Sequence, residues 1–242
     1  MTTACQHCPL RKCDAFQNIS NEDLAFIARF KVGELKVEAG TPILMEGSNA
    51  PQLYTALHGM GIRYKTLPSG DRQVINFVFP GDFVGLQAGV MGEMSHSVEA
   101  STAMTLCVFD RKALWSFFKD KPERAFDITW LAAIEEHFLG ETLLTVGQRD
   151  ALSAVAWALV KLLLRGRSVG LARNDRLPLP FRQQDLADAL GLSLVHTNKT
   201  LRKLRVKQLA SWADGVLHVN DLAALAALGQ TSIAPIPKRP LI

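Results

Sequence analysis

The spacing of apolar residues changes along the chain and predicts more than one kind of structure. Between residues 19 and 30, Leu24, Ile27 and Ala28 recur at helical spacing after Ser20, which can cap the helix. From about residue 30 to residue 110, short apolar runs alternate with turns such as Pro68-Ser69-Gly70-Asp71. Short strands at this spacing predict an all-β roll or barrel.

Helical periodicity returns after residue 110, in a short segment over 111–118 and a longer one over about 122–144. In the longer helix, Leu131, Ile134 and Phe138 follow the three-then-four spacing of a coiled-coil seam. A helix packed on its own roll would show the same spacing, so both alternatives stay open. A further helix is predicted over about 150–164.

Residues 183–207 carry the pattern of two short helices joined by a tight turn. Gly191 can adopt the positive φ that such a turn requires, and Ser193 can cap the second helix. The inward-facing stripe of this helix is predicted to consist of Leu194, Thr197, Leu201 and Leu204. After it, Asp214-Gly215 between two apolar alternations predicts a β-hairpin. Two helices followed by a hairpin predict a winged helix-turn-helix.

The second helix is predicted to read double-stranded DNA. Arginine and lysine match the acceptors of guanine, and asparagine matches adenine, because their polar atoms pair with those base edges. The candidate DNA contacts are Ser193, Val195, His196, Asn198, Lys199 and Arg202. Between residues 165 and 207, ten Lys or Arg residues outnumber three Asp or Glu residues, which favours a phosphate-binding surface.

Composition restricts the class of protein. A length of 242 residues suits two domains, and 48% hydrophobic with 21% charged residues is typical of a globular protein. The N-terminus lacks the apolar run of about 7 to 15 residues of a secretory signal. The longest apolar stretch, 151–164, contains Lys161 and is shorter than the roughly 20 residues of a membrane span. We therefore expect a cytoplasmic protein with a net charge of +4 and no membrane partner.

In the order of its parts, the chain resembles the Crp/Fnr family of bacterial transcription regulators. The most specific stretches are GDFVGL over 81–86 and QDLADALGLSLVHTNKTLRKL over 184–204. The resemblance implies an α+β fold with an N-terminal β-roll like the cyclic-nucleotide-binding jelly roll, a long dimerisation helix and a C-terminal winged helix-turn-helix. The expected divisions are a leader over 1–18, a sensor roll over 19–120, the dimerisation helix over 121–146 and the DNA-binding domain over 147–242.

The resemblance also implies partners. The family binds promoter DNA as a homodimer, which favours Leu131, Ile134 and Phe138 as the dimer seam, and RNA polymerase is implied as a further partner. Members that bind a cyclic nucleotide carry a Gly-Glu pair and then an Arg-Ser pair. The corresponding stretch here runs from Gly85-Leu86-Gln87-Ala88 to Ser95-His96-Ser97-Val98, without that glutamate and arginine. Cyclic nucleotide is therefore not expected as a ligand. Separately, His58 and His96 are expected to be surface turn residues.

The four cysteines form one further pattern. Cys5, Cys8 and Cys13 make a C-x2-C-x4-C leader, and Cys107 lies at the end of the roll. This arrangement is similar to the oxygen-sensing Fnr branch, so the resemblance implies a [4Fe-4S] cluster held by these four thiolates. Structural cysteines, with Cys107 as a small buried hydrophobe, are an open alternative, as are zinc and a redox disulfide.

The preferred function is a dimeric DNA-binding transcription regulator that senses oxygen or redox state through the cluster. One alternative is a metal-free regulator of the same type that is constitutive or responds to another signal. The other is an iron-sulfur or zinc redox protein whose basic domain binds a protein. No enzyme is expected, because the six histidines lie scattered outside any nucleophile, phosphate-loop or paired-carboxylate motif.

Overall fold

The structure, a computed structural model, describes residues 2–242. After a leader with two short 3-10 turns, Cys5–His7 and Pro9–Lys12, helix α1 spans Asn21–Phe30. The Ser20 hydroxyl caps α1 by accepting a 3.0 Å hydrogen bond from the backbone N–H of Asp23, as predicted.

The predicted β-roll is confirmed and consists of two four-stranded antiparallel sheets. Their strand orders are β1-β8-β3-β6 and β2-β7-β4-β5. The strands are β1 Lys31–Val37, β2 Pro42–Leu44, β3 Gln52–His58, β4 Gly61–Thr66, β5 Arg72–Val78, β6 Phe83–Val84, β7 Ser97–Ala100 and β8 Met104–Asp110. Helix α2, Leu86–Met91, lies between β6 and β7. The sheets bury an apolar interior that includes Val78, Val98 and Leu106.

Three helices connect the roll to the C-terminal part: α3 Leu114–Asp120, α4 Pro122–Gln148 and α5 Ala151–Ser168. Pro122 occupies the first turn of α4, where its missing N–H leaves no hydrogen bond unmade. The Asp150 side chain caps α5 by accepting from the Ser153 N–H at 2.8 Å. Helix α5 is buried along most of its length. In the part of the chain that the structure describes, no helix is long and apolar enough to cross a membrane.

The C-terminal part is the predicted winged helix-turn-helix. Its elements are β9 Arg176–Pro178, α6 Gln183–Leu190, α7 Leu194–Val206, β10 Ala210–Ala213, β11 Val216–Val219 and α8 Leu222–Leu228. Strands β10, β11 and β9 form an antiparallel sheet in that order. Gly191 adopts a φ of +65°, and Asp214 and Gly215 adopt +51° and +71°. Two consecutive positive φ values give the tight turn that suits the twist of a two-stranded wing.

Residues 231–242 return from the winged helix to the roll, a course that the sequence did not predict. The backbone of Arg239 exchanges hydrogen bonds of 2.9 Å with Ala15 and Gln17, and its side chain reaches Asp82. At the end of this segment, Thr55 donates a 2.6 Å hydrogen bond to the Ile242 carbonyl. The leader and the tail therefore lie side by side against the roll.

Asp82 is the point where roll, α5 and tail meet. Its carboxylate is 1% exposed and pairs with Arg239 at 2.7 Å and with Arg165 of α5. Burial alone would raise the pKa of this carboxyl, but the charges of Arg165, Arg239 and Arg63 lower it far below its ordinary range. The preceding Gly81 has a φ of +86°, and a Cβ there would collide with the Phe16 ring of the leader.

Candidate DNA-binding surface and sensor region

Helix α7 is held in place by one buried face. Its buried residues are Thr197, Thr200, Leu201 and Leu204. The prediction that Leu194 faces inward is wrong, because this side chain is 39% exposed. Thr200, one helical turn after Thr197, is buried instead. Its hydroxyl donates to the His196 carbonyl at 2.9 Å.

The opposite face of α7 presents every candidate DNA contact to solvent. The exposed candidates are Ser193, Val195, His196, Asn198, Lys199 and Arg202. Ser193 caps the helix by accepting from the His196 N–H at 3.2 Å. Beyond Arg202, the exposed residues Lys203, Arg205 and Lys207 extend the positive surface toward the wing. This surface therefore combines a capped helix N-terminus, polar side chains that match base edges, and a row of cations that suits phosphates.

Ion pairs fix α6, the other helix of the motif, to the roll. Arg72 of β5 binds Asp185 at 2.5 Å and Asp188 at 2.9 Å, and Arg182 binds Asp185 at 2.8 Å. Burial alone would raise the pKa of Asp185, but hydrogen bonds and charge from Arg182 and a hydrogen bond from Arg72 lower it. The orientation of the DNA-reading motif relative to the roll thus depends on charged contacts as well as on packing.

The residues of the predicted dimer seam face the chain's own interior. Leu131 is buried at 7% exposure, and Phe138 stacks on Trp157 of α5 with ring centroids 6.2 Å apart. Ile134 is half-buried beside a cavity between α4 and α5. Their role in dimerisation stays a prediction, but these side chains already pack within one chain.

The opposite face of α4 carries a second apolar stripe. Leu139, Leu143 and Val146 are 46%, 74% and 45% exposed, at a four-then-three spacing. Gly140 and Gly147 lie beside them and leave open space around the backbone. This face therefore offers apolar side chains and room for a second helix to approach closely.

Polar side chains fill the roll's interior next to α4. Glu135 of α4 accepts hydrogen bonds of 3.0 Å from both Arg63 and Asn76, and Arg63 also donates to the Phe83 carbonyl at 3.1 Å. His96 lies nearby and is only 7% exposed, so the prediction that it is a surface turn residue is wrong. Its neighbours in sequence, Ser95 and Ser97, are polar, so a buried position could not be predicted from the local pattern.

Burial, together with the charge of Arg63, lowers the pKa of His96 to about 4. At neutral pH the imidazole is therefore uncharged. His58, by contrast, is exposed at the end of β3, as expected.

The four cysteines lie in one region, where the leader crosses the roll. Cys107 is buried in β8, and the three leader cysteines are half-buried and reduced. The Cys8 thiol is close enough to the thiols of Cys5, Cys13 and Cys107 to affect the pKa of each. Burial raises the pKa of all four thiols, and that of Cys107 reaches about 11 although Lys31 lowers it.

The detailed arrangement differs from that of a closed metal site. Cys5, Cys8 and Cys107 line a cavity of about 40 Å³ together with Lys31, Leu241 and Ile242. Cys13 does not line this cavity, and its thiol donates to the Val169 carbonyl at 3.5 Å. Within residues 2–242, no three His, Cys, Asp or Glu side chains are arranged to hold a metal ion. Four neighbouring thiols are the donor set that a [4Fe-4S] cluster requires, but Cys13 would have to turn to join the others.

A β-roll joined by a long helix to a winged helix-turn-helix defines a DNA-binding regulator with an N-terminal β-roll domain. Comparison with known proteins agrees with this class of protein. Residues 34–121 match the cyclic nucleotide-binding domain family, and residues 153–228 match the Crp-like helix-turn-helix domain family. The chain is 30% identical to the transcriptional activatory protein AadR of Rhodopseudomonas palustris, over 93% of this chain and 97% of that protein. It therefore belongs to the Crp/Fnr family of transcription regulators.

One further relative and one solved structure are also similar to this chain. The chain is 28% identical to the nitrogen fixation regulation protein FixK of Bradyrhizobium diazoefficiens, over 93% of each chain. The solved structure of FixK2 from Bradyrhizobium japonicum has the same fold, with a TM-score of 0.75 at 24% identity, covering 83% of this chain and 98% of that one. The predicted fold class and the predicted class of function are thus confirmed.

The neutral state of His96 predicts a pH dependence of stability. Because the folded-state pKa of about 4 lies below the unfolded value of about 6.5, the unfolded chain binds the proton first as the pH falls. The free energy of unfolding should therefore decrease from pH 6.5 toward pH 4, by about 3 kcal/mol from this group, since one pKa unit corresponds to about 1.4 kcal/mol. Urea unfolding across this range measures the effect.

The variant His96→Asn should lose this part of the pH dependence, because asparagine does not titrate. His58→Asn is the matched control at an exposed histidine. The same slope of stability against pH in the unaltered protein and both variants would contradict the assignment.

Proposed function

We propose that this regulator acts in the cytoplasm as a homodimer that binds promoter DNA by placing α7 in the major groove. The observation that carries the proposal is the exposed face of α7, where all six candidate contacts lie together beside the capped N-terminus. The N-terminal residues of a recognition helix are the ones that reach base edges. RNA polymerase is the further partner that family membership suggests for a promoter-bound regulator.

The residues of α7 divide by the chemistry that they offer. Asn198 suits adenine, and Lys199 and Arg202 suit guanine, while the exposed Val195 can contact a thymine methyl group. Lys203, Arg205 and Lys207 lie further along the helix and suit the phosphate backbone. The wing of β10 and β11 follows α7 directly in the chain, and we expect it to contact the adjacent phosphate backbone.

We infer that the dimer forms through the exposed stripe of α4. Leu139, Leu143 and Val146 follow the spacing of a coiled-coil seam, and each is at least 45% exposed in the single chain. Burying such side chains against a second copy removes apolar surface from water, which drives association. Leu131, Ile134 and Phe138, in contrast, stabilise the same helix against its own chain.

We further propose the four-cysteine region as the sensor. The supporting observation is that the roll and the leader bring Cys8 close to the other three thiols, although Cys107 is far away in sequence. Cys5, Cys8, Cys13 and Cys107 would hold a [4Fe-4S] cluster, which supplies sensitivity to oxygen when it is bound. The high thiol pKa values oppose ligation until a metal displaces the protons. Lys31, which pairs with Glu34 at 2.7 Å, also provides a positive charge that lowers the pKa of the Cys107 thiol.

The DNA-binding proposal predicts that Lys199→Ala and Arg202→Ala weaken binding without affecting the fold, because both side chains are exposed. Loss of a base contact should cost about 1 to 3 kcal/mol, and loss of a phosphate contact should reduce the salt slope by about 1. Fluorescence anisotropy with duplexes selected by the protein from a random pool measures both quantities. Lys36→Ala, at an exposed lysine of the roll, is the control. Affinities equal to that of Lys36→Ala would show that α7 does not read the DNA.

The dimer proposal predicts different outcomes on the two faces of α4. Leu143→Glu should yield a folded monomer, because the side chain is 74% exposed in one chain and a carboxylate at a seam would be desolvated without a partner. Ile134→Glu places the charge inside the chain and should lower the midpoint of thermal unfolding. Sedimentation velocity and thermal unfolding separate the two effects. A Leu143→Glu protein that stays fully dimeric would contradict the exposed stripe as the seam.

The sensor proposal predicts that anaerobically prepared protein is brown, with about 4 iron and about 4 sulfide per chain, and bleaches in air. Cys107→Ser should abolish the colour as completely as Cys8→Ser, because both remove a ligand. Thr105→Ser on the same strand is the matched control and should keep the colour. Iron and sulfide assays with absorption spectra test this. Colourless anaerobic protein, with all four Cys→Ser variants binding DNA normally in air and without it, would reject the cluster and leave the DNA-binding proposal intact.

A further inference from the structure

A cavity with a volume of about 360 Å³ lies between the two domains. Its walls come from β5 of the roll, the middle of α4, the length of α5, the end of α6 and the tail segment 232–239. This volume falls in the range of about 300 to 1,000 Å³ that is typical of small-molecule sites. None of residues 85–98, where relatives bind a cyclic nucleotide, contributes to the wall.

The walls are mainly apolar and rich in aromatic rings. The aromatic residues that line the cavity are Phe77, Trp130, Phe138 and Trp157. Aliphatic side chains of Ile134, Leu162 and Leu190 cover the space between them. Such a lining favours a ligand with an apolar, flat body, because aromatic rings gain energy from offset or edge contacts beyond the area they bury.

The charges at the cavity are not balanced. Arg165 and Arg239 line it and share the single carboxylate of Asp82, which leaves one positive charge over. Lys161 of α5 also lines the cavity, is half-buried, and forms no ion pair among residues 2–242. Glu135 is the one carboxylate in the wall, and it pairs with Arg63. The cavity therefore favours an anion.

One buried donor at the wall also lacks an acceptor. Trp157 is 3% exposed, and its indole Nε1–H has no hydrogen-bond partner in the described chain. Buried polar groups are nearly always hydrogen-bonded, so an unpaired donor on a residue that lines the cavity favours a ligand that carries an acceptor. Lys161 lies one helical turn from Trp157 on α5, on the same face of the helix. Ammonium and indole together suit the two oxygens of a carboxylate.

We propose that this interdomain cavity binds a small apolar carboxylate and acts as an effector site. The apolar body lies among the aromatic rings, and the carboxylate binds Lys161 and the Trp157 N–H. Since the ligand contacts the roll, α4, α5 and the tail together, it binds most tightly to the arrangement of domains in which these walls meet. It therefore shifts the population toward that arrangement and changes DNA affinity. This last step rests on the proposed DNA-binding function.

The experiment uses the full chain and isothermal titration calorimetry with 2-naphthoate as the probe. Its neutral counterpart 2-naphthylmethanol has the same rings without the charge. We expect 2-naphthoate to bind about 10- to 100-fold more tightly than the alcohol, the range for one charge-assisted hydrogen bond. In Lys161→Met, the affinity for 2-naphthoate should fall by the same factor, while that for the alcohol stays unchanged. Lys36→Met is the matched control and should bind both probes like the unaltered protein.

A second variant tests the location. Leu164→Trp, at a half-buried lining residue, should fill the cavity and abolish binding of both probes, with thermal unfolding as the check on its fold. Absence of binding to the unaltered protein at millimolar 2-naphthoate would overturn the proposal, as would full affinity in Lys161→Met or in folded Leu164→Trp. The calorimetric titration is done without DNA. A protein that does not bind 2-naphthoate can therefore be distinguished from a protein that does not bind DNA. Binding of 2-naphthoate without any change in DNA affinity would overturn the effector role.

Discussion

The buried carboxylate of Asp82 is the interaction on which the arrangement of the domains depends. Asp82 lies in the turn between β5 and β6, and its carboxylate accepts a 2.8 Å hydrogen bond from the Phe79 N–H. The same carboxylate pairs with Arg165 of α5 and with Arg239 of the C-terminal tail. Taking a charge out of water costs several kcal/mol unless its partners are well placed. Removing Asp82 would leave two arginines without a counter-charge, whereas the intact group allows one relative position of roll, α5 and tail. The contact of Asp82 with the two arginines thus specifies the orientation of the domains more than it adds to the free energy of unfolding.

The same ion pairs of Asp82 determine the surroundings of the four cysteines. Arg239 lies over the Phe16 ring at 5.2 Å, and Phe16 packs on Gly81 directly before Asp82. The tail then continues to Leu241 and Ile242, which line the cavity of Cys5, Cys8 and Cys107. A rearrangement of the leader around its cysteines would therefore disturb the contact between leader and tail, and through it the ion pairs to α5. This is a physical route from the thiols to the DNA-binding domain that does not require α7 itself to change.

The sequence could predict those features that depend on local backbone geometry. The cap at Ser193, the turn at Gly191 and the hairpin at Asp214-Gly215 each follow from what one or two residues can adopt. It could not predict which side of α4 faces the protein, because Ile134 and Leu143 belong to apolar stripes of the same period. The burial of His96 and the contact of Thr55 with Ile242, 187 residues apart, depend on how distant elements pack. Periodicity within one element carries no information about such contacts.

Different elements carry the proposed DNA contacts and set the position of the helix that bears them. Helix α7 touches the rest of the protein only through its buried face and bears no ion pair to the roll within the described residues, so its outward side chains are free for a duplex. Orientation is set instead by Arg72 on Asp185 and Asp188 of α6, and by Arg165 of α5 on Asp82. Both contacts are charged, lie at the boundary between domains and are largely buried, so each is sensitive to the exact position of its partner. A signal that alters either contact can turn the recognition helix as a rigid unit, and the chemistry of its base contacts remains unchanged.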